Sequence, residues 1–370
     1  MIPPLIDIIA GARPNFMKIA PILHALLNRA PGEARLRHRL VHTGQHYDAR
    51  MSGEFFTQLN IPAPDVNLEV GSGTQAEQTA AIMTRYERLL LEAPSVLCVV
   101  VGDVTSTMAC AIAAQKLRIP VAHVEGGIRS GDWTMPEEIN RMVTDAITNH
   151  FFTTSGVAND NLRRMGVPEE RIFFVGNTMI DTLLANLSRL RPPPFWDEHR
   201  LEAGGYLLLT LHRPANVDGE ASLSALLAAI GAGARGLPVI FPVHPRTDRT
   251  LRGLAGLPEN LILVEPQPYL EFNHLARHAK AVITDSGGIT EETTVMGVPC
   301  LTLRNTTERP ETVTMGTNEL LGTDPRAIPP ALERLFAGKW KKGAIPELWD
   351  GRTGARIVAI LERLYGEPDC

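Results

Sequence analysis

Residues 95–141 read SVLCVVVGDVTSTMACAIAAQKLRIPVAHVEGGIRSGDWTMPEEINR, and the punctuation of that stretch decides the fold. It opens on an apolar, largely β-branched run at 96–101, the pattern of a strand buried on both faces of a parallel sheet. Gly102-Asp103 ends the run, and a helix-like segment follows with Met108, Ala111, Ile112 and Leu117 small or apolar. A second buried strand, 119–124, ends on Glu125-Gly126-Gly127. Parallel strands thus carry Asp103 and Glu125 to their C-terminal ends, the edge at which open α/β sheets bind ligands. Glu137 follows a Gly- and Pro-punctuated loop and opens the next helix, where the positive end of the helix dipole meets it. Carboxylates converging on one crevice point to acid/base chemistry.

The same alternation extends outward. A first strand at 5–10 ends at Gly11-Ala12-Arg13-Pro14, and helical spacing takes over through Met17, Ile19, Ile22 and Leu26. Arg13 and Lys18 therefore sit at a strand-to-helix corner, where backbone N–H groups and the dipole also favour an anion. The alternative is a solvated loop Arg and a helix Lys. Strands follow at 36–43, 150–153 and 171–175, with helices at 75–91, 157–165 and 179–190. Pro192-Pro193-Pro194 then breaks the pattern, because three prolines cannot continue a helix and favour an extended connector. The alternation restarts with strands at 206–211, 239–243, 261–264, 281–285 and 300–303 and helices at 223–234, 269–279 and from Thr290. The expectation is α/β: two doubly wound, Rossmann-like domains, 1–185 carrying the carboxylates and 200–352, with a cleft between them. The last helix, 353–365, begins a C-terminal segment (353–370) expected to pack back on a neighbouring domain through Ile357, Ile360 and Leu361.

Composition narrows the partners. A 370-residue chain with 44% hydrophobic and 21% charged residues is an ordinary globular one, long enough for two cores. Its net charge of -5 offers no general attraction to nucleic acid or anionic membrane, so phosphate recognition must be local. The 4 cysteines are too scattered for a disulfide framework, and no CxxC or HExxH pair marks a metal site. No apolar run approaches the ~20 residues needed to span a bilayer. The opening MIPPLIDIIAGARP lacks a basic n-region and reads as a strand, not a signal peptide; with the scattered cysteines and no spanning run, the expected setting is the cytoplasm.

The second half supplies anion-binding chemistry. Asp285-Ser286-Gly287-Gly288 follows a buried strand and opens a helix, so backbone can approach a diphosphate closely while Glu292, one turn in, is placed where it could reach the hydroxyls of a ribose. The plainer alternative is a Gly-rich left-handed turn behind a Ser cap. His212-Arg213 lies at another strand end, His244 at a third, and Arg304-Asn305-Thr306-Thr307-Glu308-Arg309 at a fourth. Carboxylates in one half and phosphate contacts in the other suit nucleotide-sugar chemistry. A GxGxxG fingerprint is absent after the first strand, which argues against a dinucleotide dehydrogenase.

Taken together, GARPNFMK (11–18), GDVTST (102–107), HVEGGIRSGD (123–132), PEEINR (136–141), GNTMIDTL (176–183), LHRPAN (211–216), DSGGITEE (285–292) and TTERPE (306–311) closely resemble the non-hydrolysing UDP-N-acetylglucosamine 2-epimerases, in order and over nearly the whole chain. The resemblance implies a glycosyltransferase-B-like fold, a homodimer, and interconversion of UDP-GlcNAc and UDP-ManNAc without a redox cofactor. It implies removal of the C2 proton with elimination of UDP to 2-acetamidoglucal, followed by re-addition with C2 protonated on the opposite face. Asp103, Glu125 and Glu137 match the family's acids. His212, Arg13 and Lys18 match positions that contact the diphosphate or stabilise the leaving UDP. Gln267 and Phe272 match the uracil pocket, Ser286, Gly287 and Gly288 the diphosphate contacts, Glu292 the ribose contact, and Arg309 a further ligand-binding position.

The chain departs from the family pattern in places. The commoner opening is GTRPEAIK and the histidine motif usually reads HRRE; Pro214 and Ala215 here remove a charge of each sign. Members regulated by a second UDP-GlcNAc usually carry Arg before a Gln-Thr pair, where this chain has Glu77 before Gln78-Thr79, which argues against that allosteric site. These changes leave room for a modified sugar such as a 2,3-diacetamido uronic acid derivative. Other readings are a hydrolysing epimerase, a UDP-dependent glycosyltransferase, which would need an acceptor site, and a non-catalytic UDP-sugar sensor, which would not need all of Asp103, Glu125, Glu137 and His212.

Overall fold

The structure, a computed structural model, describes residues 2–29, 35–44, 56–243, 245–251, 253–254 and 256–366. The chain divides into two compact units, Met1–Ala185 with Glu347–Cys370, and Asn186–Pro346. The N-terminal unit is built on a 7-stranded sheet. Its strands are β1 (Leu5–Ala10), β2 (Arg37–His42), β3 (Val66–Asn67), β4 (Leu97–Val101), β5 (Val121–Val124), β6 (His150–Thr153) and β7 (Ile172–Phe174). They lie in the order β3-β2-β1-β4-β5-β6-β7, and every pair is parallel. The C-terminal unit holds a 6-stranded parallel sheet of β8 (Leu207–Thr210), β9 (Val239–Pro242), β10 (Leu261–Val264), β11 (Ala281–Thr284), β12 (Cys300–Thr302) and β13 (Asn318–Leu320), ordered β10-β9-β8-β11-β12-β13.

Each order reverses direction once, between β1 and β4 in the first unit and between β8 and β11 in the second. At such a switch point the loops leaving neighbouring strands diverge and open a crevice at the carboxyl edge. The motifs beginning at Gly11, Gly102, Leu211 and Asp285 all follow these four strands. The burial pattern explains why the strands form: all five residues of β4 and all four of β11 are buried, as expected where helices cover both faces. At ~25 cal/mol per Å² of apolar area, such runs supply most of the drive to fold.

The helix Arg13–Leu27 contains Pro21, which cannot donate to the carbonyl of Met17 one turn back. The Thr182 hydroxyl, on the helix Thr178–Asn186, donates to that carbonyl at 2.6 Å and fills the gap. Thr182→Val keeps the shape and strands the carbonyl, so the urea midpoint is expected to fall by the equivalent of about 1–3 kcal/mol; an unchanged midpoint would mean water takes over the bond. The helix Thr353–Tyr365 packs on Arg13–Leu27 within the N-terminal unit, burying Ile357, Val358 and Leu361, with Ile360 at the margin. Its start is fixed by the Gly354 N–H donating to Asp181 at 2.8 Å.

Boundaries differ from the sequence reading in instructive ways. The helix expected over 179–190 ends at Asn186 and tightens into a 3₁₀ turn, Leu187–Arg189, so the unit changes before the three prolines. A short helix, Phe195–Glu198, follows the prolines directly. The helix expected from Thr290 starts at Gly287, which makes Gly287 and Gly288 its first turn and not a left-handed loop. Strands β3 and β13 and the helices Pro214–Val217, Pro310–Thr314 and Ile328–Phe336 were not foreseen. Among the described residues no helix is long and apolar enough to cross a membrane, and Cys98, Cys110 and Cys300 are buried free thiols.

Candidate active site

In the N-terminal unit the corner after β1 is tied by Asn15. Its side-chain oxygen accepts from the N–H groups of Gly11 and Ala12 at 3.1 and 3.0 Å, and its amide donates to the Val101 carbonyl at 2.9 Å. The helix start is thereby bolted to the end of β4. Three residues on, Lys18 points back across Gly102, whose left-handed φ of 69° and missing side chain leave room: a Cβ there would lie 2.9 Å from Lys18 Nζ. Lys18 donates to Glu125 Oε2 at 2.8 Å, and both side chains are buried. Arg13 opens this helix, and its side chain lies outside the described residues.

Asp103 follows β4 and meets Arg141 Nη2 at 2.5 Å, while Asn140 donates to the Asp103 carbonyl at 2.9 Å. Both partners come from the helix Pro136–Ala146. Arg141 also binds Glu138 at 2.6 Å through its other terminal nitrogen. Glu138 accepts in addition from the Ser130 and Gly131 N–H groups, each at 3.0 Å. Burial pushes its carboxyl up, but those bonds and Arg141 outweigh it and hold the group below its ordinary value. Glu137, its neighbour in the first turn, is half-buried. The structure thus joins Lys18 to Glu125 and Asp103 to Arg141 on adjacent, directly paired strands, since Val101 sits opposite Val124. Each carboxylate is held beside its own cation, a placement that suits a group taking up a proton.

In the C-terminal unit the organising group is Asp285, at the end of β11 and fully buried. It accepts from the N–H groups of His212 and Arg213 at 3.1 and 2.9 Å, from the Asn216 amide at 3.0 Å, and faces His212 Nδ1 at 2.8 Å. Burial would raise its carboxyl, yet the His212 contact, Asn216 and the Arg213 N–H together keep it low. Asp285 fixes the His212 ring so that Nε2 faces away from it, and the imidazole remains 46% exposed and able to meet a ligand. Arg213 Nε donates to the Asp285 carbonyl at 2.9 Å, which brings a guanidinium to the start of the helix Gly287–Met296. Ser286 is that helix's N-cap and makes no side-chain cap bond. A Cβ on Gly287 would lie 2.2 Å from Glu308 Oε1, so any larger residue would displace the Glu308 carboxylate where it and Arg304, paired at 2.6 Å, close over the helix start.

One turn along, Glu292 accepts from the Tyr269 hydroxyl at 2.8 Å. Gln267 precedes the helix Tyr269–His278, its amide donating to the Glu265 carbonyl at 2.6 Å, and Phe272 on the same helix packs against the buried cluster around Tyr206 and Leu275. Tyr269 therefore links the Gln267–Phe272 corner to Glu292. Arg309 pairs with the buried Glu291 at 2.7 Å. His244 lies outside the described residues. Burial pushes the Glu292 carboxyl up to about 7, against the Tyr269 and Asn273 hydrogen bonds. Between its ordinary 4.5 and that value the folded chain keeps a proton that the unfolded chain has lost. This group's stabilisation is therefore complete at low pH and disappears as pH rises toward neutrality. Glu292→Gln is expected to shrink the drop in urea midpoint between about pH 5 and about pH 8; an undiminished drop would mean the carboxyl is ionised throughout.

Sequence reasoning missed Arg141, Asp285, Tyr269 and Glu291 as partners. Only the spacing of Arg141 three residues after Glu138 offered a signal.

Two doubly wound units, one with cation-paired carboxylates at its switch edge and one with an oriented histidine beside the start of the helix Gly287–Met296, make a protein of glycosyltransferase-B-like fold. A family model described as UDP-N-acetylglucosamine 2-epimerase matches residues 29–362, and the chain belongs to that family. It is 40% identical over 375 residues to the UDP-N-acetylglucosamine 2-epimerase of Methanocaldococcus jannaschii, covering 98% of this chain and 99% of that one. It is 38% identical over 359 residues to the UDP-2,3-diacetamido-2,3-dideoxy-D-glucuronate 2-epimerase of Pseudomonas aeruginosa, covering 96% and 99%. A crystal structure of the Methanocaldococcus jannaschii enzyme in complex with UDP-GlcNAc and UDP superposes with a TM-score of 0.86, at 38% identity over 97% of this chain and 99% of that one.

Proposed function

We propose that this protein is an isomerase that interconverts UDP-GlcNAc and UDP-ManNAc, with UDP held by the C-terminal unit and the sugar worked on by the N-terminal one. The observation that carries this reading is the pair of carboxylates on adjacent strand ends, each held by its own cation: Asp103 with Arg141 and Glu125 with Lys18. The C2 proton of such a sugar has no neighbouring ketone to acidify it. Its removal must be coupled to departure of UDP: the C2–H bond breaks, its electrons form C1=C2, and the C1–O bond breaks toward the phosphate. Inversion then needs an acid on the opposite face to return a proton to C2 as UDP re-adds. Asp103, Glu125 and Glu137 supply these groups, and general acid–base help of this kind is worth ~10²–10⁴ in rate.

His212, oriented by Asp285, with Arg13 and Lys18, offsets the charge that develops on the leaving diphosphate. Ser286, Gly287 and Gly288 present backbone to the diphosphate. Glu292 receives the ribose, Gln267 and Phe272 the uracil, and Arg309 completes the ligand shell. The protein acts as a homodimer in the cytoplasm, in keeping with its resemblance to the family and its buried free thiols. Sedimentation should find a dimer; a monomer at assay concentration would overturn that part.

A second reading, a 2-epimerase of a 2,3-diacetamido uronic acid UDP-sugar, is favoured by Pro214-Ala215 in the histidine motif and by the Pseudomonas aeruginosa relative. Anion-exchange chromatography of the protein with each UDP-sugar separates the two. UDP-ManNAc appearing from UDP-GlcNAc supports the main reading, and turnover of the diacetamido substrate alone supports the second. Accumulation of UDP with free ManNAc would mark a hydrolysing enzyme and contradict both.

A further inference from the structure

Asp145 lies in the last turn of the helix Pro136–Ala146 and is only 3% exposed. Its carboxylate reaches β5 and the loop that leaves it. Oδ1 is 2.7 Å from His123 Nδ1, and Oδ2 accepts from the Gly127 N–H at 3.0 Å and pairs with Arg129 at 2.6 Å. The other ring nitrogen of His123 is 2.8 Å from the Gly102 carbonyl, which can only accept, so Nε2 carries a proton. One buried relay therefore runs from the Gly102 carbonyl through His123 and Asp145 to the Gly127 N–H. Its ends are the residue before Asp103 and the second residue after Glu125.

The Glu125 corner needs such a hold. Its φ is 72°, a left-handed conformation that L-residues with a Cβ avoid, so the surroundings must over-determine it. Glu125 N–H donates to the Phe152 carbonyl at 2.9 Å, and two residues on, Gly127 is pinned by Asp145 at a φ of 80°. Without that pin, the turn is free to relax toward an ordinary φ and carry the carboxylate away from Lys18. Burial raises the Asp145 carboxyl, but His123 and Arg129 outweigh it, so the clamp is an anion when the protein is folded.

We propose that Asp145, acting through His123 and the Gly127 N–H, is a positioning residue of the epimerisation: it holds Asp103 and Glu125 in the fixed relation across which the C2 proton is removed and returned. It touches neither sugar nor nucleotide. The inference rests on the proposed activity. Reacting groups misplaced by ~1 Å lose ~10² in rate even when binding is intact.

A purely structural ion pair is available as a control in the same sheet. Asp7 on β1 is fully buried, bound by Arg39 at 2.7 and 2.9 Å and by the Tyr86 and Ser95 hydroxyls at 2.9 and 3.0 Å. It lies toward the N-terminal end of the strands, away from the acid-bearing corners. The test measures kcat, KM, UDP affinity and thermal midpoint for the full chain and its Asp145→Ala, Asp145→Asn and Asp7→Asn variants. Asp145→Ala is expected to lower kcat ~100-fold with UDP affinity within about twofold of wild type. Asp145→Asn should recover ~10-fold of that loss and stay ~10-fold below wild type, because an amide can still accept from Gly127 and donate to His123 Nδ1 while Nε2–H keeps the Gly102 carbonyl, but brings no charge to Arg129. Asp7→Asn should lower the midpoint but leave kcat within about twofold. The proposal is overturned if kcat follows the midpoint across the three variants, or if Asp145→Ala is as active as Asp7→Asn. Should Asp145→Ala fail to fold, the conservative variant decides alone: a kcat equal to that of Asp7→Asn at equal midpoint overturns the proposal. Absence of turnover in the wild type would overturn the activity and the positioning together, whereas a fully active Asp145→Ala would overturn the positioning only.

Discussion

Asp103→Asn is expected to lower kcat ~10²–10⁴-fold while UDP binds with unchanged affinity and the fold keeps its stability. The substitution removes a charge but not a shape. The amide still offers an oxygen to Arg141, and Arg141 retains Glu138 at 2.6 Å, so no buried cation is left without an anion. The Asn140 bond goes to the Asp103 backbone and survives. What is lost is a base, so the defect should appear in kcat and in the rate of C2 exchange, and calorimetry with UDP should find nothing amiss. A variant that loses UDP binding in proportion to activity would make Asp103 a structural residue.

Glu125→Gln should behave differently, and the difference separates the two acids. Lys18 is buried, and Glu125 is its ion-pair partner at 2.8 Å. Removing that anion leaves a desolvated ammonium, a situation that typically costs about 3–5 kcal/mol. The variant is therefore expected to lose activity as thoroughly as Asp103→Asn and also to unfold at markedly lower urea. Adding Lys18→Met removes the stranded charge, so the double variant should regain stability and remain inactive. If Glu125→Gln alone is as stable as wild type, Lys18 sheds its proton or finds water, and the pair is not the fixed unit described above.

These expectations rest on contacts that were only partly legible in the sequence. The strands were readable because apolar runs such as 97–101 are buried on both faces and stop at Gly or Asp. The exceptions, β3 and β13, have only two and three residues and carry Asn or Glu, too short and too polar to register as periodic. Gly287-Gly288 read as a loop because glycine is a poor helix former, yet the two form the first turn of a helix, with the Glu308 carboxylate packed where a Cβ on Gly287 would stand. The carboxylates Asp103 and Glu125 were legible from their strand-end positions alone. Their pairing with Lys18 and Arg141 was not, since these cations come from helices 107 and 38 residues away along the chain and local spacing says nothing of that. The neighbours Glu137 and Glu138 show the limit most clearly. Both open the same helix, and only the packed structure reveals that Glu138 is buried on Ser130, Gly131 and Arg141 while Glu137 stays half-buried. Asp285 was visible in its motif, but its hold on His212 depends on β8 and β11 being paired across the switch point.

Proton NMR of the protein with UDP-GlcNAc in D₂O is the most direct test that the N-terminal carboxylates exchange the C2 proton as UDP departs. UDP-ManNAc signals should grow with deuterium at C2, and deuterium should enter C2 of the recovered UDP-GlcNAc as the reaction runs back. UDP-ManNAc that keeps its protium at C2 would contradict a solvent-exchanging acid/base mechanism and with it the roles given to Asp103 and Glu125.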